Sequence, residues 1–525
     1  MKRFLKINHF FNLLLILFFF LGSYLSLTIG ITHDEHINNY IWEINKNKIQ
    51  NIFLNANNDV SSLNSYLGYY GISFNIFSFP FEYIINSFFD FSHITEEGKK
   101  LLIKHFSVFL LFIVSALYFK KIITLITGDK NYGKLTTIFY LTYPYLFGHS
   151  LFNIKDIPFM SIWLISTYYL IIILKNLFYK SEIKSRHILL LSFFTSFLIS
   201  LRVSGVLIFI EYLIFLIFYL NIFKFKFKKF IIDNYKILLL FFSTNLIFLY
   251  SLNPSYWNDP YIFIESIKFM SQHVQTVCTI TLGECMKAQN LPATYLLIWF
   301  FFKLPIIILG GFLLFPFVEK KIFKKKNYKL FLGPIILTIV TIILLLIILN
   351  VNLYDEIRQV LFLIPLFLIC SLIILYFFNK KFSSILIVAF SLYFIIQNIK
   401  IFPYNYIWLN NFTSLINVNK NFELDYWGVS TKKIAEFLNE EKIDEKSCII
   451  SNRNNGIEYF IKNQNTCFKK FDQLHKKNIR PFYVAFTERF TKKGTPNNCT
   501  LVYEEKVKIN FTKENLILAK VFKCD

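Results

Sequence analysis

The sequence predicts an all-α polytopic membrane protein of about eleven transmembrane helices, with a small C-terminal extracytoplasmic α/β domain. Three observations lead there. Hydrophobic residues make up 55% of the 525-residue chain, and the mean hydropathy is +0.48. Apolar windows long enough to cross a bilayer recur from residue 10 to residue 400, and from about Ile401 the composition changes to mixed polar and apolar stretches. The net charge of +23 is scattered between the apolar windows, which points to membrane topology and anionic headgroups and away from nucleic acid.

The first window, residues 10–29, follows Lys2, Arg3 and Lys6. Its length, and the lack of a small-x-small cleavage site before Thr32, predict a retained anchor with a cytoplasmic N-terminus. Further spans are predicted at 104–126, 134–151, 157–175, 188–204, 206–222, 236–252, 294–318, 330–350, 358–377 and 383–400. Residues 71–90 compete, but they carry Asn75, Pro80 and Glu82. The basic clusters at Lys120 to Lys134, Lys175 to Arg186, Lys224 to Lys229, Lys320 to Lys329 and Lys380-Lys381 all fall on the cytoplasmic side only if 71–90 does not cross. That segment is therefore interfacial or re-entrant, inside a long first outer loop at 31–103 of a transmembrane domain at 1–400.

Residues 401–525 form the predicted soluble domain on the periplasmic side of the inner membrane. Within it, Cys448-Ile449-Ile450-Ser451 and Phe482 to Phe486 read as strands. Lys432 to Glu441 reads as a helix, because Ile434, Ala435, Phe437 and Leu438 share a face. Six of the seven cysteines lie in predicted outer regions: Cys278 and Cys285 in one loop, and Cys448, Cys467, Cys499 and Cys524 in the tail. They predict one loop disulfide and two in the tail, with the tail pairing open among three possibilities. Zinc is the rival reading, but no C-x-x-C spacing supports it.

With this topology, polar groups gather at the outer helix ends. Asp34 and Glu35 follow the first span, flanked by His33 and His36. A short second loop holds Asn153, Lys155 and Asp156; Arg202 ends the fifth span; Tyr354 and Arg358 stand in another short loop; and Lys303 lies inside the eighth span. Carboxylates beside a bilayer are costly to desolvate and point to a task. Each group also has a plainer reading. Asp34 and Glu35 read as solvated charges, Asp156 as a helix cap, Arg202 and Arg358 as headgroup anchors, and the histidines as solvated or hydrogen-bonded rather than metal ligands.

These placements resemble the glycosyltransferase C superfamily, and more narrowly its protein O-mannosyltransferase-like branch. The resemblance is carried by Asp34-Glu35, Phe152 to Phe159, Tyr354 to Gln359, Phe402-Pro403-Tyr404-Asn405-Tyr406 and Phe422 to Gly428, in that order along residues 1 to 440. It implies a membrane glycosyltransferase that moves a sugar from a polyprenyl-phosphate donor to a lipid, glycan or protein acceptor on the outer face, with inversion. Asp34 matches the family's first-loop catalytic acid and Asp156 its second-loop acidic residue. Gln359 departs from the His expected in bacterial relatives. The expected catalytic residues are Asp34, Glu35 and Asp156, and the expected substrate-binding residues Lys155, Arg202, Lys303, Tyr354 and Arg358. No cofactor is required by the sequence, which leaves the need for a divalent cation open. A lipid or glycan transporter of the flippase type is the alternative. It predicts inverted repeats and helices broken at the bilayer midplane, and no internal repeat is visible.

Overall fold

The computed structural model describes residues 2–88, 94–272, 278–324, 326–441, 447–463, 465–469, 482–487, 494–509 and 514–524. Helix α1 (Lys2–Thr28) is followed by α2 (His33–Leu54) and α3 (Ser73–Asn86), and then by α4 (Glu96–Thr127), α5 (Lys130–Thr142) and α6 (Pro144–Ser150). Next come α7 (Asp156–Phe178), α8 (Ser185–Leu201), α9 (Ile208–Phe223), α10 (Phe227–Ser251) and α11 (Ile262–Gln272). A hairpin of β1 (Cys278–Thr281) and β2 (Glu284–Lys287) leads to α12 (Tyr295–Lys303), α13 (Ile306–Leu313), α14 (Phe315–Phe323), α15 (Lys326–Ile348), α16 (Leu363–Phe378) and α17 (Lys380–Ile401).

The chain is a multi-pass helical protein. Among the described residues, seven helical stretches are long and apolar enough to cross a bilayer, those of α1, α4, α7, α9, α10, α15 and α17. Helices α8 and α16 are apolar but shorter. The two remaining predicted spans are broken. Residues 134–151 divide at Tyr143 between α5 and α6, and residues 294–318 bend by 112° between α12 and α13. Both breaks fall at a proline, Pro144 and Pro305, which has no N–H to donate and whose ring crowds the preceding turn. The carbonyls so freed need partners in a medium without water. Asn398 Nδ2 donates to Thr142 O at 2.7 Å, Asn410 Nδ2 donates to Leu304 O at 2.9 Å, and the Tyr143 hydroxyl donates to Lys303 O.

Within 71–90, the described residues contain no helix long enough to count among the candidate spans; residues 89 and 90 lie outside the described residues. The 14-residue helix α3 contains Pro80 and packs on α4 and α8, where Ser73 Oγ donates to Phe197 O at 2.9 Å. Helix α4 starts eight residues before its predicted apolar window, because Thr95 caps it through Gly98 N and Glu96 and Glu97 occupy the first turn.

The tail contributes α18 (Val418–Asn421), α19 (Thr431–Glu440) and α20 (Asn454–Glu458). Its strands are β3 (Cys448–Ser451), β4 (Cys467–Lys469), β5 (Phe482–Thr487), β6 (Cys499–Val507) and β7 (Leu516–Cys524). The sheet order is β4-β3-β5-β7-β6; β3 runs parallel to β4 and β5, and β7 runs antiparallel to β5 and β6. The disulfides are Cys278–Cys285, Cys448–Cys467 and Cys499–Cys524, so each tail bridge joins neighbouring strands. One face of the sheet, with Ile434 and Leu438 of α19, packs on Leu27, Ile31 and Leu101 at the ends of α1 and α4. The stretch between α17 and α19 runs inside the helical core, burying Tyr404, Tyr406, Trp408 and Trp427.

Candidate active site

The polar residues meet at one end of the helical bundle, because several elements start or stop there. Asp34 stands in the first turn of α2. Its Oδ2 is 3.2 Å from Arg358 Nη1, and the other Arg358 nitrogen, Nη2, is 3.1 Å from Asp355 Oδ2. The guanidinium lies between two rings, 4.8 Å from the centre of Tyr354 and 4.4 Å from that of Trp427. A planar fork can hold two carboxylates and stack between two rings at once, which the point charge of a lysine does not do. Within this cluster Asp34 is the open member, with a third of its side chain exposed, against 5% for Arg358.

A second pair lies alongside. Asp156 opens α7 and accepts from Arg202 Nη1 at 2.6 Å. Asp156 is not the helix cap, since Lys155 holds that position without a side-chain cap bond; Asn153 Oδ1 accepts from Asp156 N at 2.8 Å while its Nδ2 donates to Asp156 Oδ2 at 2.9 Å and to His149 Nδ1 at 3.0 Å. Lys155, between them, forms no ion pair among the described residues; its ammonium lies 5.5 Å from the Tyr70 ring. Burial pushes Lys155 below its ordinary value, and Arg202 and Arg358 push the same way against the attraction of Asp34. At Asp34 the balance is reversed. Burial alone would raise its carboxyl, but Arg358, Lys155 and His33 outweigh burial and hold it well below the usual carboxylate range.

Beneath these, Lys303 Nζ pairs with Glu356 Oε2 at 2.7 Å, both fully buried, and lies 4.4 Å from the Tyr145 ring. Lys303 is the last residue of α12, at the bend, where a cation also favours the helix C-terminus. Burial pushes Glu356 up to about 7, with Asp355 adding to the rise and Lys303 opposing it. Asp355 and Glu356 are both left-handed, at φ 55° and 66°. Each such residue costs about 1–2 kcal/mol, and strain of this kind persists where the surroundings over-determine it. The loop is held by Thr279 Oγ1, which accepts from Asp355 N at 2.7 Å, by the Tyr295 hydroxyl, which donates to Glu356 O at 3.0 Å, and by Gln359 Oε1, which accepts from Tyr354 N at 3.1 Å. A cavity of about 220 Å³ opens beside this loop between residues 289–296 and 346–353.

Glu35 is not beside Asp34 in the cleft, contrary to the expectation that both halves of the acidic pair are catalytic. It is wholly buried; its Oε1 accepts from Thr32 N at 2.7 Å and Thr32 Oγ1 at 2.8 Å, and its Oε2 lies 2.7 Å from His105 Nε2. Adjacent helical residues point about 100° apart, so only one of the two can face the cleft. Glu35 caps α2 and ties it to α4, which fixes where Asp34 stands. His36 Nδ1 meets Glu97 and Tyr459, each at 3.0 Å. No cluster of three His, Cys, Asp or Glu with metal-binding geometry occurs among the described residues.

Asp34, Lys155, Asp156, Arg202, Tyr354 and Arg358 are thus brought together, with Lys303 under them. Residues missed by sequence reasoning are Asp355 and Glu356, adjacent to selected positions, and Trp427, Tyr145 and Tyr406. Trp427 and Tyr406 stand in the two later segments that carry the family resemblance, and Tyr406 O accepts from Lys303 Nζ at 3.4 Å. Tyr145 carried no signal.

Fold and site together define a multi-pass membrane protein with a cleft of paired charges at one end of its helical bundle. No protein-family model matches the chain, and no curated protein matches it. Among solved structures, that of ArnT from Cupriavidus metallidurans bound to undecaprenyl phosphate aligns over 98% of this chain and 97% of that chain, with 9% identity and a TM-score of 0.48. The apo state of the same protein aligns over 98% of both chains, with 10% identity and a TM-score of 0.49.

Proposed function

We propose that this protein is a membrane glycosyltransferase that moves a sugar from a polyprenyl-phosphate donor to an acceptor at the outer face of the inner membrane, with inversion. The observation that carries this reading is the meeting of a part-exposed carboxylate, Asp34, with a stacked guanidinium, Arg358, and an ammonium with no ion pair among the described residues, Lys155. A sugar phosphate needs cations at its leaving group and a carboxylate at the incoming hydroxyl.

In the proposed step, Asp34 takes the proton of an acceptor hydroxyl as that oxygen bonds to the sugar's C1. The bond from C1 to the phosphate oxygen breaks, and its electron pair leaves with the lipid phosphate against Lys155 and Arg358. Without donor, Asp34 is tied to Arg358 and is a weak base. A phosphate that engages Arg358 loosens that tie and raises the basicity of Asp34, so the donor binds first. Asp156 and Arg202 orient the sugar or acceptor, and the Lys303–Glu356 pair supports the loop from below.

The transporter reading is favoured by one observation, the 112° bend between α12 and α13. Against it, the carbonyls at the bend are engaged by Asn410 and Tyr143, which supports a fixed structure rather than an ion path. Mass spectrometry of envelope lipids and glycans from a strain lacking the gene tests the proposal. A sugar-bearing species should vanish, return with the wild type, and fail to return with Asp34→Asn. Full restoration by Asp34→Asn would remove Asp34 from the base role.

A further inference from the structure

The hairpin closed by Cys278–Cys285 makes contacts that its position in the chain does not require. Leu282 and Gly283 form its two-residue turn, with φ 51° and 89°, the geometry that suits the twist of the strands. One edge is pinned to the tail: Glu423 N donates to Ile280 O at 3.0 Å, Ile280 N donates to Glu423 Oε2 at 3.2 Å, and Gly283 N donates to Asn421 O at 3.0 Å. The alternation of the strand turns Thr279 and Thr281 inward, both fully buried.

The inward threonines do different jobs. Thr281 Oγ1 accepts from Trp299 Nε1 at 3.0 Å, locking the hairpin to α12. Thr279 Oγ1 accepts from Asp355 N at 2.7 Å, and the Tyr295 hydroxyl donates to Glu356 O at 3.0 Å. Thr279 and Tyr295 therefore bracket the two consecutive left-handed residues of the Tyr354–Arg358 loop, Thr279 at the N–H of the first and Tyr295 at the C=O of the second. Those two residues set where the Asp355 carboxylate and the Arg358 guanidinium stand, and through Arg358 the loop meets Asp34.

We infer that Thr279 is a positioning residue for the Asp34–Arg358 cluster, with the disulfide-closed hairpin as its rigid mount. The inference rests on the proposed function for its catalytic meaning, but the loop contact is testable without any substrate.

The test is hydrogen exchange, followed by mass spectrometry, on the full-length protein in nanodiscs. The variants are Thr279→Val, which keeps shape and loses the hydroxyl; Thr279→Ser, which restores it; and Tyr295→Phe, which removes the second bond. We expect the peptide spanning residues 351–360 to exchange about tenfold faster in Thr279→Val, the size of effect that follows the loss of one buried hydrogen bond. Tyr295→Phe should shift the same peptide in the same direction, Thr279→Ser should return it to the wild-type rate, and peptides from α7 and α16 should not change. A wild-type rate at 351–360 in Thr279→Val would overturn the inference. So would faster exchange spread evenly over the chain, which marks a general loss of stability. Sugar transfer measured on the same samples reports separately on the proposed function.

Discussion

Replacing Arg358 with lysine keeps the charge and removes the fork. The guanidinium bridges Asp34 at 3.2 Å and Asp355 at 3.1 Å, between the rings of Tyr354 and Trp427. An ammonium has three donors but no planar fork, so it does not hold both carboxylates in this geometry; losing one charge-assisted hydrogen bond is worth about 1.5–3 kcal/mol. Loss of the planar stack adds about 0.5–2 kcal/mol. Allowing for what the lysine retains, the transition state loses about 2–4 kcal/mol, which slows transfer about 30- to 1000-fold. The assay is sugar transfer by purified protein in nanodiscs, with the thermal midpoint measured in parallel to confirm folding. A folded Arg358→Lys protein within about threefold of the wild-type rate would refute the claim that the fork, and not merely a positive charge, organises the cleft.

Three further outcomes follow from the same geometry. Lys155→Gln should weaken binding of a polyprenyl phosphate about 10- to 100-fold, the loss of one charge-assisted contact, with little change in thermal midpoint because no ion pair among the described residues is broken; unchanged affinity would place the phosphate elsewhere. Glu35→Ala should cost about 3–5 kcal/mol of stability by stripping His105 of its buried partner, seen as a lower thermal midpoint; an unchanged midpoint would contradict the positioning role. Glu356 is raised from an ordinary 4.5 to about 7, so between those values the folded chain binds more protons than the unfolded chain. Its contribution to stability is full below about 4.5 and is lost as pH rises through about 7. Thermal midpoints across that window should show this loss in the wild type and not in Glu356→Gln; parallel curves would contradict it.

Much of the architecture was legible because apolar length and loop charge are strong signals. The polar character of 71–90 was readable from Asn75, Pro80 and Glu82, and strands β3 and β5 and helix α19 from their periodicity. The breaks at Pro144 and Pro305 were not foreseen. A proline inside an apolar run breaks the helix only if partners exist for the freed carbonyls, and Asn398 and Asn410 come from distant sequence. Asp34 and Arg358 were found because they sit at helix ends in the order a family resemblance supplies. The burial of Glu35 was not legible, because adjacency in sequence says nothing about which of two helical neighbours faces inward, and its partner His105 lies 70 residues away. Thr279 left no mark at all: its role depends on a strained loop 76 residues further along.

The central claim is that the Asp34 cleft transfers sugar from a polyprenyl phosphate rather than moving a lipid or glycan across the bilayer. It is tested most directly by supplying purified protein in nanodiscs with the polyprenyl-phosphate sugar pool extracted from its host, together with membranes of the deletion strain as acceptor. Free polyprenyl phosphate and a newly glycosylated product should form together with wild-type protein and with neither Asp34→Asn nor protein-free discs. Product formation by folded Asp34→Asn protein, or transport of the donor across proteoliposomes with no transfer by the wild type, would contradict the account.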